Sequence, residues 1–198
     1  EANAGSNDAF VLKINTSGSQ QWATQLGSST RVAVGYNAGD DRLNAVTVDN
    51  AGSVFAYGTT YGRVGEVQGG SGDIYVVKLD AATGSLTWVK QLGSTTLLTG
   101  GSNTGEDYAA GIVIDGNGDI VLSGSTFGSL AESNGGGGNT DIFIVKMSRS
   151  TGALIWGRQL GATTLISAGS NNASFEWTEG RLAVDAQNSI YVPFSSEG

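Results

Sequence analysis

The sequence predicts an all-β chain built from repeated units, and three observations carry this prediction. An Asp, an aromatic residue and a Lys recur at fixed spacing in three copies, and each copy continues to a Trp and a Leu-Gly pair. The Trp residues are separated by 66 residues, from Trp22 to Trp88, and by 68 residues, from Trp88 to Trp156. The 198 residues include 32 Gly and a single Pro, which suits short strands joined by many turns. A period of this kind indicates a repeat architecture.

The charged and aromatic residues of the repeat are interpreted as structural. They are Asp8, Lys13 and Trp22 in the first copy, Asp73, Lys78 and Trp88 in the second, and Asp141, Lys146 and Trp156 in the third. The Asp and Lys residues could line a channel, but recurrence once per unit favours hydrogen bonds or ion pairs that anchor one strand. The large apolar area of Trp favours packing between units over a platform for stacking sugars.

Four strand-like runs, named A to D, make up the second unit, at residues 43–49, 53–60, 73–80 and 85–92. Tight turns join A to B and C to D, as in hairpins. Run C carries apolar residues on both faces, which is expected of a strand sandwiched between neighbouring sheets. The third unit repeats the runs at 109–115, 119–126, 141–148 and 153–160.

The end units are split. Residues 8–27 supply only C and D, and residues 181–195 supply only A and B, so the array reads CD, ABCD, ABCD, AB. We therefore predict one domain, 1–198, with units at about 1–42 (partial), 43–108, 109–180 and 181–198 (partial). Four antiparallel strands repeated radially form a β-propeller. Typical rings have about four to eight blades, so we expect a longer polypeptide, or a second copy whose AB end completes the CD end.

The connections divide by length, and the long ones share one face of the predicted disc. The long D-to-A connections are 28–42, 94–108 and 162–180, and the long B-to-C connections are 61–72 and 127–140. The acid pairs Asp40-Asp41 and Glu106-Asp107 precede run A on this face. Neighbouring residues of a strand point to opposite sides, so each pair splits and we expect a solvated rim instead of a catalytic carboxylate pair.

Residues Phe175, Glu176 and Trp177 break the repeat and are the best candidate contact patch. They lie in the third D-to-A connection, which is two residues longer than the others. An aromatic pair on the elaborated face favours contact with a partner. The alternative is that the segment caps a sheet edge locally.

Composition excludes several function classes. A net charge of −8 argues against nucleic acids and anionic membrane surfaces. No apolar run approaches the roughly 20 residues of a membrane-spanning helix, so no membrane insertion is expected. With no Cys and no His, the chain lacks thiolate chemistry, the commonest general base and the commonest metal ligand. No catalytic residue, cofactor or metal site is therefore assigned.

The turn 115–119, of sequence DGNGD, places oxygen ligands at positions one, three and five, as a calcium loop does. Ile120 stands where such a loop needs Gly, and Thr126 stands where a bidentate Glu closes the site. The equivalent turns in the other copies lack the acids. A plain hairpin turn is the preferred interpretation.

The units resemble the seven-bladed β-propeller repeat family known as SBBP. The resemblance rests on 141–146 (DIFIVK), 154–156 (LIW) with 159–161 (QLG), and 107–108 (DY) with 112–115 (IVID) and 118–121 (GDIV). It implies a propeller in a surface-exposed or secreted protein, mostly without an assigned activity. The long connections depart from the usual family pattern.

Residues 80–84 (DAATG) with Trp88 also look like the tryptophan-docking motif of pyrroloquinoline-quinone dehydrogenase propellers and their non-enzymatic relatives. The third copy has Ser148 in place of the Asp, and the first has Asn15. The motif is structural in that family, so the resemblance implies a propeller and not a quinone site.

The expected function is a non-catalytic structural or protein-interaction module of an extracellular or cell-surface assembly, acting through the face with long connections. Its partner would be another protein, or further blades of the same or an identical chain. The alternatives are a glycan- or calcium-binding propeller, and a quinoprotein-like or carboxylate-based enzyme domain.

Overall fold

A computed structural model describes residues 7–27, 39–64, 71–93, 105–132, 139–161, 176–178 and 180–196. Within these ranges every helix or strand is a β-strand, which confirms the predicted all-β class. The strands are β1 (Ala9–Ile14), β2 (Gln20–Leu26), β3 (Asp41–Val48), β4 (Ser53–Thr60), β5 (Asp73–Asp80), β6 (Leu86–Leu92), β7 (Asp107–Ile114), β8 (Ile120–Thr126), β9 (Asp141–Met147), β10 (Leu154–Leu160), β11 (Glu176–Thr178), β12 (Ala183–Val184), β13 (Ile190–Tyr191) and β14 (Phe194–Ser196). Across the described ranges, no helix has the length and apolarity needed to cross a membrane.

The strands form two four-stranded antiparallel sheets, as the sequence predicts. The first sheet contains β3 to β6 and the second contains β7 to β10, each in chain order. Strands β1 and β2 pair as a two-stranded sheet at the start of the chain. Near its end, β12 pairs with β13 and β11 pairs with β14, so residues 176–196 form one interrupted hairpin. The predicted order of strands along the chain is confirmed.

Strands β3 and β7 begin two residues before their predicted starts at 43 and 107 + 2. The extension exists because each added Asp pairs with a Thr at the end of the next strand. Asp41 lies opposite Thr60, and the Thr60 hydroxyl donates to Oδ1 of Asp41 over 2.5 Å. The backbone N–H of Tyr61 then donates to the carbonyl of Asp40 over 2.9 Å, which continues the ladder beyond the strand.

The A-to-B turns are held by a carboxylate at their first position. Oδ1 of Asp115 accepts hydrogen bonds from the backbone N–H groups of Asn117 and Asp119, over 3.0 and 2.9 Å. Asp49 and Asp185 do the same in their turns. The other oxygen of Asp115 accepts from the Lys146 ammonium over 2.6 Å, and Asp119 lies 3.2 Å from the same ammonium. The turn 115–119 therefore has hairpin geometry, with a cation of the protein already between its two acids.

Two apolar cores lie between the sheets, and β5 contributes one face to each. Ile74 and Val76 belong to the core shared by the two four-stranded sheets. Tyr75, Val77 and Leu79 belong to the core shared with β1 and β2. All five side chains are buried. This accounts for the continuous apolar character of run C, since a strand buried on both faces cannot alternate with polar residues.

Candidate functional site

The candidate site is the loop end, defined here as the end of the sheets at which β3, β5, β7 and β9 begin. Each strand C starts there with a buried Asp that meets a Gln from strand D. The Gln91 amide donates to Oδ2 of Asp73 over 2.8 Å and to the carbonyl of Gly62 over 2.6 Å. Its own oxygen accepts from the N–H of Val64 over 2.8 Å. One side chain therefore fastens the start of the B-to-C connection to two strands.

The same arrangement recurs in the second four-stranded sheet, and in part in the first two strands. Gln159 donates to Asp141 over 2.8 Å and accepts from the N–H of Leu130 over 2.9 Å. Gln25 donates to Asp8. These Gln residues are absent from the sequence-based site set. Their recurrence at one position in all three copies is the signal that could have found them.

The acid pairs split as expected, but only one member of each reaches solvent. Asp41 and Asp107 are buried, and each accepts a hydrogen bond from a Thr hydroxyl, of Thr60 and Thr126 respectively. The structure thus corrects the expectation of a solvated rim for these two residues. Their burial follows from register, because the Asp side chain faces the neighbouring Thr inside the sheet stack.

The partly exposed members are Asp40 and Glu106. Asp40 accepts from the Asn7 amide over 2.9 Å and lies 3.3 Å from the Arg42 guanidinium. Glu106 accepts a hydrogen bond from the Tyr108 hydroxyl. Partial burial, together with the Glu106 carboxylate, raises the pKa of Tyr108, so the phenol stays protonated and keeps donating.

An aromatic cluster surrounds Glu106, and we call it the loop-end cluster: Tyr61, Glu106, Tyr108 and Phe127. The rings of Tyr108 and Phe127 pack edge to face with centroids 6.3 Å apart. Tyr61 also acts on the Tyr108 phenol and raises its pKa further. All four residues are half-buried. Tyr61 and Phe127 each directly follow the conserved Thr of strand B, a repeat that the sequence contains and that was not used.

The opposite end of the sheets carries the Lys and Trp residues of the repeat. Lys13 and Trp22 both donate to the carbonyl of Ala81 in the next sheet, over 2.6 and 3.1 Å. The Trp22 ring lies against Gly84, where an added Cβ would come within 2.7 Å of ring carbons. Trp22 is therefore docked on the C-to-D turn of the following sheet.

The second copy repeats this docking in a looser form. Lys78 donates to the carbonyl of Arg149 over 3.3 Å, and the Trp88 ring lies beside Gly152. Lys146, in contrast, pairs with Asp115 and Asp119 of its own sheet. Trp156 is half-buried. These residues hold sheets together at the end away from the long connections.

The sequence-predicted contact patch is placed only in part. Phe175 lies outside the described residues. Glu176 and Trp177 lie in β11, paired with Ser196 and Ser195 of β14, and not in a loop. Trp177 follows Asp107 at the offset that relates Asp115 to Asp185, so it stands where the buried Asp of strand A occurs in the other units.

The described side chains offer the loop-end carboxylates mainly for structure. Asp41, Asp73, Asp107 and Asp141 are buried and hydrogen-bonded to Thr or Gln. In the described ranges, no three His, Cys, Asp or Glu side chains meet in a way that could hold a metal ion. What the loop end presents to solvent is an aromatic surface with one carboxylate.

Comparison with known proteins gave no relative. No family model matches the chain, and no curated protein sequence is significantly similar to it.

Proposed function

We propose that this chain is a non-catalytic protein-interaction module of an extracellular or cell-surface assembly, that its sheets are blades of a β-propeller, and that the loop end binds the partner. The observation that carries the proposal is the loop-end cluster, in which three aromatic rings surround Glu106 at the junction of the two four-stranded sheets. Tyr residues with a polar rim are typical of binding hot spots.

The anchors beneath the cluster support a binding role because they pre-organise it. Thr60 accepts from the N–H of Gly62, and Thr126 accepts from the N–H of Gly128, over 3.0 and 2.9 Å. Each bond fixes the backbone directly after an aromatic residue of the cluster, Tyr61 or Phe127. A surface held before binding loses little conformational entropy on association, which favours affinity.

Electrostatics favour a partner with a basic contact surface. The chain carries a net charge of −8, and Asp40 and Glu106 are the partly exposed acids of the loop end. Opposite charge raises the rate of encounter and disfavours acidic partners. The residues also disfavour catalysis, because the buried carboxylates are held by Thr and Gln and the chain has no His to act as a general base.

The propeller arrangement is supported by the direction of the sheet faces. Each strand C packs one face towards the preceding sheet and the other towards the following sheet. Trp22 and Lys13 bind the turn of the following sheet, and Lys78 binds the turn after that. Sheets stacked face to face with the same offset form the blades of a propeller.

The test begins with capture of partners from the extracellular fraction, identified by mass spectrometry and then purified. Binding of one purified partner is measured by surface plasmon resonance for the wild type, Tyr108→Ala and Glu106→Gln. We expect each variant to bind at least about tenfold more weakly, as hot-spot truncation does. Thr83→Ala, an exposed change in a turn at the opposite end, is the control and keeps wild-type affinity. Equal affinities for all variants would refute the loop end as the binding surface.

A glycan is the second candidate ligand, since an aromatic ring beside a carboxylate also suits a sugar with hydroxyl groups on one face. Screening the wild type and Tyr108→Ala against a glycan array separates the two. A glycan that binds the wild type and is lost in Tyr108→Ala would replace the protein partner in the proposal.

A further inference from the structure

An apolar face is left uncovered on β1. Phe10, Leu12 and Ile14 are 61%, 50% and 54% exposed. Their counterparts in the second four-stranded sheet, Phe143, Val145 and Met147, are buried in the core that also includes β4 and β5. The β1 residues are thus chemically core residues without a neighbouring sheet. The outer edge of β1 also lacks a paired strand among the described residues.

A cleft of about 960 Å³ lies beside this face, and it continues an existing core. Val54 and Ala56 line it, and they also belong to the core between β1, β2 and the first four-stranded sheet. Val46 and Val48 line it from β3 and are 60% and 65% exposed. The cleft is therefore the open side of a sheet interface that is already established.

The same chain carries the missing strands at its other end. Strands β1 and β2 correspond to C and D of a unit and have no A and B. Residues 176–196 form an A–B hairpin and have no C and D among the described residues. Tyr191 and Phe194 of this hairpin are 59% and 42% exposed. Each half exposes the side chains and the strand edge that the other half would cover.

The register of the missing pairing follows from the complete sheets. Val121 lies opposite Lys146 and Gly124 opposite Phe143. The repeat offset converts these pairs into Tyr191 opposite Lys13 and Phe194 opposite Phe10. In this register Pro193 corresponds to Tyr57 of the first sheet.

Pro193, which has no N–H, does not obstruct this pairing. The N–H of Ala81 donates to the carbonyl of Gly52, one pair beyond Ser53 and Asp80. Hydrogen-bonded and non-hydrogen-bonded pairs alternate along an antiparallel ladder, so Tyr57 and Val76 form a non-hydrogen-bonded pair. The N–H at the Pro193 position therefore points towards strand A and away from strand C.

Charges also match in this register. Within the second four-stranded sheet Lys146 of strand C pairs with Asp115 of the A-to-B turn. The corresponding pair is Lys13 with Asp185. In the first sheet Lys78 lies over the ring of Phe55, 5.6 Å from its centroid, and the corresponding contact is Lys13 over Tyr191.

We propose that the occupant of the β1 edge is residues 176–196 of a second copy of this chain. The two copies join head to tail into one composite four-stranded sheet, and the second copy's β7–β10 sheet covers Phe10, Leu12 and Ile14. The interface is heterologous, so assembly continues until a ring closes or a filament forms. This interface is the sheet edge and is separate from the loop end, so it stands or falls independently of the proposed function.

Light scattering after size exclusion tests the assembly. We expect species heavier than the 20.1 kDa chain that grow with concentration. Leu12→Lys places a charge on the uncovered face and should weaken association at least tenfold while leaving the melting temperature unchanged. Ile155→Lys is the control, since residue 155 is exposed and its counterparts Gln21 and Thr87 are exposed too. A 20.1 kDa wild-type species at every concentration, or equal weakening by both variants, would overturn the proposal.

Engineered cysteines test the register, since the chain has no Cys. A non-hydrogen-bonded antiparallel pair has Cα atoms about 4.5 Å apart, within disulfide range. Mixing Lys13→Cys with Tyr191→Cys under oxidation should give a disulfide-linked pair of chains, while Lys13→Cys with Thr87→Cys should not. A double variant, Lys13→Cys with Tyr191→Cys in one chain, should give linked multimers. A monomer with an internal disulfide would overturn the proposal by showing that the chain closes on itself.

Discussion

Gln159 donates a hydrogen bond to the buried carboxylate of Asp141 over 2.8 Å, and the same amide reaches the carbonyl of Gly128 over 2.7 Å. Its oxygen accepts from the N–H groups of Leu130 and Ala131, over 2.9 and 3.1 Å. One side chain therefore satisfies buried groups on a strand and on the connection that follows β8. Gln91 makes the equivalent contacts in the first four-stranded sheet.

Replacing this amide by an isosteric apolar side chain should be costly. Gln159→Leu leaves Asp141 without one donor and the backbone groups without their partner, so we expect a loss of about 2–4 kcal/mol in the free energy of unfolding. Urea denaturation followed by circular dichroism measures it. The control, Gln21→Leu, changes an exposed residue and should stay within about 0.5 kcal/mol. Similar losses in both variants would contradict the anchoring role.

The Trp22 dock can be tested with two glycines that share a backbone conformation. Gly84 and Gly18 have φ of +72° and +82°. An added Cβ at Gly84 would lie 2.7 Å from Trp22 ring carbons, whereas at Gly18 nothing lies within 4 Å. Gly18→Ala should cost about 1 kcal/mol from backbone strain alone.

Gly84→Ala should cost about 2–4 kcal/mol, since it adds a steric clash to that strain. It should also change the Trp fluorescence of the folded protein, because the ring must move, while Gly18→Ala leaves the spectrum unchanged. Equal unfolding free energies for the two variants would show that Trp22 is not docked on the turn.

A second glycine pair tests the close approach of strands β7 and β8. A Cβ at Gly124 would lie 2.2 Å from the Tyr108 carbonyl oxygen and 2.3 Å from Cζ of Phe143. We expect Gly124→Ala to cost about 3 kcal/mol or more, or to abolish folding, because one contact is with rigid backbone. At Gly157 the nearest atom is the Ala131 Cβ at 3.1 Å, so Gly157→Ala should change stability by less than about 1 kcal/mol. Thermal melts of both variants give the comparison.

The Asp115–Lys146 pair predicts how stability depends on pH. Burial opposes ionisation of Asp115, but hydrogen bonds from Lys146 and from the N–H of Asp119 outweigh it and hold the pKa of the carboxyl below its usual range. The hydrogen bond to Asp115 raises the pKa of Lys146. The Asp contribution is present above the unfolded pKa of about 3.9 and is lost as pH falls through the folded pKa.

The Lys contribution has the opposite sign. It is fully present below the unfolded pKa of about 10.4 and is lost as pH rises through the folded pKa. Urea midpoints from acid to alkaline pH should therefore fall at both extremes. Asp115→Asn should reduce both losses. Glu132→Gln, which removes an exposed pair with Arg158, should leave the profile almost unchanged. A wild-type profile in Asp115→Asn would contradict the pairing.

Much of the fold could be read from the repeat, because burial on two faces and tight turns leave local signatures. The limits of β4 and β5 agree with the predicted 53–60 and 73–80. The starts of β3 and β7 could not be read this way. Asp41 and Asp107 look like solvent-facing acids in sequence, and only the facing Thr60 and Thr126 make them interior residues. A cross-strand hydrogen bond leaves no trace in local hydropathy.

The loop-end cluster shows the same division. Glu106 was a candidate from its position before strand A, but Tyr61, Tyr108 and Phe127 were not. Tyr61 is far from Glu106 in sequence, and the two meet because β4 and β7 belong to adjacent sheets. Glu176 and Trp177, in contrast, lie in β11 as part of a strand, since the hairpin of residues 176–196 begins earlier than the hydropathy pattern indicates.

By itself the sequence determined the all-β class, the order of strands and the split units at both ends, because strand period and turn chemistry are local properties of the chain. The tertiary structure alone decided which polar residues are buried and which surface remains open. Burial depends on the neighbouring sheet: Leu12 and Val145 are equivalent in sequence, yet one is exposed and the other buried, because only Val145 has a sheet packed against it.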